Sequence, residues 1–192
     1  MHHLAIFASG SGTNAQNIAD YFNGSPDICV SLILSNKSDA YVLERAVKLH
    51  IPTYVFDRKE FYESEKVLDE LKKFEVDFIV LAGFLWLVPE YLLKAYPSKI
   101  VNIHPALLPK YGGKGMFGDK VHRAVIEAGE KRTGISIHYV NEHYDEGTII
   151  FQDSFEILPG DTPESIAKRV HALEYKHFPR VIEKVVLKSE CN

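Results

Sequence analysis

Short runs rich in Val, Ile and Leu alternate along the chain with segments whose apolar residues recur every three or four positions. The runs at 4–8 (LAIFA), 28–36 (ICVSLILSN), 52–57 (PTYVFD), 77–83 (DFIVLAG) and 99–105 (KIVNIHP) read as strands. Between them, Ala15, Ile18, Ala19 and Phe22 fall at helical spacing, as do Leu43, Ala46 and Val47 within 41–50. Phe61, Leu68 and Leu71 form a stripe that predicts one helix over about 60–74, and PEYLLKAY (89–96) a short one. Near-continuous apolar strands separated by helices predict a mostly parallel sheet covered on both faces, an open doubly wound α/β fold.

After residue 105 the pattern changes. A Gly-rich loop (111–119, YGGKGMFGD) leads into a helix carrying Val121, Val125 and Ala128. Strands at 134–140 and 148–157 are joined by the short NEHYDEG, which predicts an antiparallel pair. Asp161, Thr162 and Pro163 give a helix start, with a capping side chain before a first-turn proline, and Pro179 is expected to kink or end that helix. With no repeats, low-complexity segments or linkers, residues 1–192 are expected to form one domain.

Composition narrows the classes without choosing among them. The 192 residues are 46% hydrophobic and 25% charged, as in an ordinary globular protein with a proper core. A formal charge of −4 argues against a general nucleic-acid surface but leaves room for a local anion site. Cys29 and Cys191 show neither metal spacing nor a disulfide framework. Without a membrane-length apolar run or a signal-peptide pattern, a reducing cytoplasm is the expected location.

Two motifs carry candidate chemistry. FASGSGTN (7–14) joins the first strand to the first helix, at the carboxyl edge where doubly wound sheets bind ligands. Gly10 and Gly12 let backbone N–H groups approach an anion, and Thr13 and Asn14 add side-chain donors at a helix N-terminus. A dinucleotide fingerprint would need a third glycine where Ala15 stands and an acidic residue where Ser35, Asn36 and Lys37 stand, so a single phosphate suits the loop better. A tight turn with no ligand is the plain alternative.

The second motif is VNIHPALLPKY (101–111). Asn102 and His104 share one face at the carboxyl end of the fifth strand, and buried unpaired polar groups cost about 1–3 kcal/mol each. Asp145, in the last turn between strands, offers a carboxylate that would favour the imidazolium of His104. An amide, an imidazolium and a base suit acyl-type transfer, in which an amine attacks a carbonyl and an oxyanion forms. No serine elbow or well-placed cysteine favours a covalent route. His138 and Ser136 share a strand face toward this site, where hydrogen-bonding support of the catalytic residues and plain core packing are both open.

Taken together, FASGSGTN, SNK (35–37), VLAGF (80–84), VNIHPALLP (101–109), GISIHYV (134–140), DEGTIIFQ (145–152) and HALEYKHFP (171–179) resemble the phosphoribosylglycinamide formyltransferases, nearly end to end. Asn-x-His-Pro with a downstream Asp-x-Gly is the most specific part. The resemblance implies formyl transfer from 10-formyltetrahydrofolate, as co-substrate and without a metal, to the amine of 5-phosphoribosylglycinamide. Asn102, His104 and Asp145 would carry the transfer, with protonated His104 and the Asn102 amide stabilising the oxyanion. Gly12, Thr13 and Asn14 would hold the phosphate, Pro105 would touch the substrate, and Glu174 would contact the ribose hydroxyls. The folate would lie against Leu85, Trp86, Leu87, Val88, Asn102, Val140 and Asp145, with Lys59 or Arg58 near its glutamate tail. Partners are then small molecules, with no nucleic acid and no membrane, for a monomer or homodimer.

Trp86 departs from the family, whose well-known members carry arginine there, and the 111–119 loop is long and Gly-rich, so Lys114 and His122 receive no role. His50 is expected to cap its helix, and His143, His171 and His177 to lie at the surface or rim. The rival readings are a formyltetrahydrofolate hydrolase, which would carry an N-terminal regulatory domain, and methionyl-tRNA formyltransferase, which would need a further domain and a basic surface. A non-catalytic protein that binds a phosphorylated metabolite or folate is the alternative of a different class.

Overall fold

The structure, a computed structural model, describes residues 1–188. Cys191 lies outside them. Seven strands form one sheet in the order β3-β2-β1-β4-β5-β6-β7. Strands β1 (His2–Phe7), β2 (Ile28–Ser35), β3 (Thr53–Val55), β4 (Phe78–Leu81) and β5 (Ile100–His104) run parallel. Strands β6 (Arg132–Tyr139) and β7 (Ile149–Glu156) continue the sheet antiparallel, as their short connection required.

Alternation along the strands sends side chains to two separate cores. Leu4 and Ile6 pack with α1 (Thr13–Phe22), α2 (Tyr41–Lys48) and α7 (Pro163–Lys188) on one face. Ala5 and Phe7 pack with α3 (Arg58–Tyr62), α4 (Lys66–Lys73) and α5 (Glu90–Ala95) on the other. Helix α6 (Asp119–Glu127) closes a small third cluster through Val121 and Val125. The parallel strands are therefore buried on both sides, which is why they read as unbroken apolar runs.

The chain reverses direction across the sheet after β3, so β1 and β4 flank the topological switch point, where open α/β folds place their ligands. The loops beyond these strands are laced together. Ser9 N–H donates to the Gly83 carbonyl (3.0 Å), and Leu85 N–H donates to Ser9 Oγ (3.1 Å). Gly12, at φ 70°, tucks under α2 so closely that a Cβ there would drive into Val42.

Three local expectations are corrected. The stripe over 60–74 is two helices. An Asp57–Glu60 capping box starts α3 early, and Ser64 Oγ donates to the Glu60 carbonyl in the break that follows. The buried face of α2 is Val42 and Ala46, whereas Val47 is 71% exposed, because α2 presents its first turn to the glycine loop. Of the two outcomes expected of Pro179, ending the helix does not occur, and no loose carbonyl is left: the Tyr175 carbonyl, which a residue-179 N–H would have served, accepts instead from Asn17 Nδ2 (3.1 Å). His50 does terminate α2, but through the backbone. At φ 56° its N–H donates to Val47 O, and Ile51 N–H to Ala46 O, a Schellman pattern.

Candidate active site

Strand pairing assembles the centre of the site. In the β5–β6 register Asn102 stands opposite His138, and His104 opposite Ser136. His138 is buried, and its Nδ1 lies 2.8 Å from the Tyr139 carbonyl, which can only accept. The proton is therefore on Nδ1, and Nε2 accepts from Asn102 Nδ2 at 3.0 Å. The same amide nitrogen reaches Asp145 Oδ1 at 3.3 Å. Both Asn102 amide hydrogens are thus engaged. The amide expected to serve an oxyanion is therefore held within the protein here, and the carbonyl oxygen of Asn102 is the end left for a ligand.

His104 is 3% exposed and held by two groups. Its Nε2–H donates to the Tyr111 carbonyl at 2.7 Å, while Nδ1 faces Asp145 Oδ2 at 3.5 Å. Burial pushes the imidazole below its ordinary value, outweighing the upward pull of Asp145 and of the Tyr111 carbonyl. The neutral form of His104 is accordingly favoured in this arrangement, where the sequence led to an expected imidazolium. Burial also pushes the Asp145 carboxyl up, but the proximity of His138 and His104 and the Gly113 N–H together hold it below the ordinary range. Gly113 N–H donates to Asp145 Oδ2 at 2.9 Å. An ionised carboxylate and an imidazole lone pair consequently face one another with no proton between them.

Two bulky or charged residues hold left-handed backbone here, Tyr111 at φ 59° and Asp145 at φ 57°. Such conformations concentrate at functional sites, and each one aims a group at His104. Gly147, two residues beyond Asp145, packs against the Tyr139 carbonyl with no space for a Cβ. The segment after His104 is pinned by Ser136, whose Oγ donates to Ala106 O (2.7 Å) and accepts from Leu108 N–H (2.9 Å) and Gln152 Nε2 (2.7 Å). The Ser136 hydroxyl thus shapes the loop, and its hydrogen bonds go to Ala106, Leu108 and Gln152 rather than to His104.

These groups open onto a cleft of about 450 Å³. The glycine loop with Gly12, Thr13 and Asn14 lines it together with Asn102, His104, Pro105 and Asp145. Helix α7 contributes Glu174 and His171. Among the described residues no side chain caps the N-terminus of α1, so its first-turn N–H groups remain suited to an anion, and Lys37 lines the same cleft. Asn14 departs from expectation: its Nδ2 donates to Glu174 Oε2 (2.9 Å) instead of pointing at an anion. His171 Nδ1 shares that oxygen at 2.9 Å, and the bond holds the imidazole above its ordinary value.

A second, narrow slot of about 50 Å³ lies on the far side of Asp145, lined by Trp86, Leu87, Val88, Asn102, Val140 and Asp145. Leu85 lines the main cleft instead. Lys59 lines neither cavity, whereas the neighbouring Arg58 lies over the rings of Tyr62 and Trp86 at 5.1 and 5.7 Å. Trp86 belongs at once to this slot and to an aromatic cluster with Phe56, Phe61 and Phe84. Lys114 is exposed and His143 is at the slot's rim. His177 is corrected from the surface: its side chain is 17% exposed, with Nε2 2.8 Å from Asp153 Oδ2 and its ring against Phe151.

Sequence reasoning missed the Tyr111 carbonyl and the Gly113 N–H, because backbone groups leave no signature. It also missed His122, which is 3% exposed and lines the main cleft. Buried in an otherwise ordinary amphipathic helix, His122 offered only its polarity at a core position as a signal.

Fold and site together define an open α/β protein with a ligand cleft at its switch point and an Asn–His–Asp cluster in the cleft floor. The chain belongs to the formyl transferase family, whose model matches residues 2–182. It is 43% identical over 185 residues to a chloroplastic phosphoribosylglycinamide formyltransferase of Arabidopsis thaliana, covering 93% of this chain and 63% of that one. A phosphoribosylglycinamide formyltransferase of Bacillus subtilis is 38% identical, with 97% and 95% covered. The crystal structure of a phosphoribosylglycinamide formyltransferase from Bacillus halodurans superposes with a TM-score of 0.86 at 38% identity, over 97% of this chain and 96% of that one. The chain spans only about three fifths of the length of the two plant relatives, 63% and 59%.

Proposed function

We propose that this chain, as a single domain, transfers the formyl group of 10-formyltetrahydrofolate to the amine of 5-phosphoribosylglycinamide, a step of purine biosynthesis, in the cytoplasm. The observation that carries the reading is the shared cleft, lined both by an anion-suited helix start and by the Asn102–His104–Asp145 cluster. That combination suits a substrate with a phosphate at one end and a nucleophile at the other.

The residues divide the work as follows. Gly12 and the first turn of α1, with Lys37, hold the phosphate, and Glu174 receives the ribose hydroxyls. The Asn102 carbonyl oxygen accepts an N–H of the amine and so aims its lone pair. When the amine attacks the formyl carbon it must release a proton, and the gap between His104 Nδ1 and Asp145 Oδ2 is built to receive one. Protonated there, His104 is stabilised by Asp145 and supports the negative charge developing on the formyl oxygen. The same proton then passes to the folate nitrogen as its bond to the formyl carbon breaks. The slot beside Trp86, Leu87, Val88 and Val140 would hold the pterin, and Arg58 or Lys59 the acidic tail.

The test is folate release from 10-formyltetrahydrofolate with and without phosphoribosylglycinamide, for the wild type and His104→Ala. Release that needs the amine and collapses in the variant supports the transferase. Release indifferent to the amine makes the protein a hydrolase, and binding without release leaves a non-catalytic binder.

A further inference from the structure

The main cleft contains two buried polar atoms with no hydrogen-bond partner among the described residues, Nδ1 of His122 and Oδ1 of Asn14. Both belong to residues that line the cleft, on elements that approach it from different sides: His122 in α6 and Asn14 in the first turn of α1. Asn14 is oriented by Glu174, which takes the amide hydrogen and leaves the carbonyl oxygen over. His122 interacts electrostatically with His104, Glu174 and His171, and with Asp119 one turn before it. It lines the same cleft as the group assigned to the reacting amine and the groups assigned to the sugar. Burial holds its imidazole below the ordinary value, so it is a neutral ring, one nitrogen donating and one accepting.

A neutral imidazole and a carbonyl oxygen are poor anchors for a phosphate, which the cationic Lys37 and the N-terminus of α1 already suit. They are good partners for a sugar diol, whose hydroxyls both donate and accept. Buried groups left unpaired without ligand also point to polar atoms supplied from outside. We propose that His122 is a further substrate-binding residue, its free ring nitrogen making a hydrogen bond to a hydroxyl of the ribose unit. The assignment rests on the phosphoribosyl substrate of the proposed function.

The experiment compares wild type, His122→Leu and His122→Asn, measuring the KM for each substrate and calorimetric binding of phosphoribosylglycinamide without folate. Asparagine can place an amide near the Nδ1 position, and leucine fills space without polarity. His122→Leu is expected to raise the KM for phosphoribosylglycinamide and to weaken its binding about five- to tenfold, the size of one lost hydrogen bond. The KM for the folate should hold, and His122→Asn should recover most of the loss. An unchanged KM and affinity in His122→Leu overturn the assignment. So does an equal loss in both variants that also moves the folate KM, since that marks a packing role. Wild type that binds phosphoribosylglycinamide without transferring formyl overturns the proposed activity but leaves His122 to be judged by calorimetry. Wild type that binds no phosphoribosylglycinamide overturns both.

Discussion

Asn14 and Glu174 are 160 positions apart, yet a 2.9 Å hydrogen bond from the Asn14 amide to a buried Glu174 carboxylate ties the start of α1 to the middle of α7. The bond fixes the distance between the anion-suited start of α1 and the sugar groups. It also determines which end of the Asn14 amide faces a ligand. Glu174→Gln keeps the shape but allows the amide to turn. Because hydrogen bonds to charged groups contribute about 1.5–3 kcal/mol, the KM for phosphoribosylglycinamide should rise roughly tenfold or more. The folate KM should move little. Steady-state kinetics on both substrates check this, and equal movement of both constants would contradict it.

Asp145 is the residue on which the rest of the site converges, through Asn102, His104, His138 and Gly113. Asp145→Asn retains volume and removes the charge that stabilises protonated His104. A loss of about 10²–10⁴ in kcat is expected, the usual range for general acid–base groups, with the folded content unchanged by circular dichroism. Activity within threefold of wild type would remove Asp145 from the transfer.

Stability should fall on the acid side through His104. Its imidazole is depressed below the ordinary value of 6.5, so the unfolded chain binds a proton more readily than the native one. The stabilisation is present above about pH 6.5 and is lost as pH falls through the native value. His122 is depressed for the same reason and adds to the slope, whereas His171, raised by Glu174, acts in the opposite direction, losing its contribution as pH rises through its native value. Urea denaturation between pH 5 and 8 should show a smaller acid loss in His104→Gln than in the wild type. Identical slopes would show that His104 titrates normally.

Ser136→Ala leaves buried Leu108 N–H and the Gln152 amide without their shared oxygen. The expected destabilisation is about 1–3 kcal/mol, the penalty of stranded buried groups. Loosening of 105–109 should lower kcat as well, although the Ser136 hydrogen bonds go elsewhere than to His104. Denaturation midpoints and kcat measured on the same samples would separate this from a purely catalytic loss, in which the midpoint stays put.

The order of elements was legible because buried parallel strands and amphipathic helices write different periods into the chain, and because glycines and prolines punctuate them. Asn102, His104 and Asp145 stood out since polar residues at a strand end and in a tight turn break those periods. Errors arose where local pattern met a tertiary partner. Val47 fits a helical stripe, but the glycine loop chose Val42. Pro179 reads as a helix stop, but Asn17 serves the carbonyl it strands.

Local order along the chain was therefore enough to specify strands, helices and the three residues of the candidate centre. Protonation states, tautomers and hydrogen-bond directions were settled by the folded arrangement alone. The neutral form of His104 is favoured because the surrounding structure excludes water from it, and His138 carries its proton on Nδ1 because a carbonyl lies beside that nitrogen. The Asn102 amide in turn faces His138 because the register of two antiparallel strands sets them opposite. Dielectric surroundings and cross-strand partners are properties of space, and a linear string of residue types does not contain them.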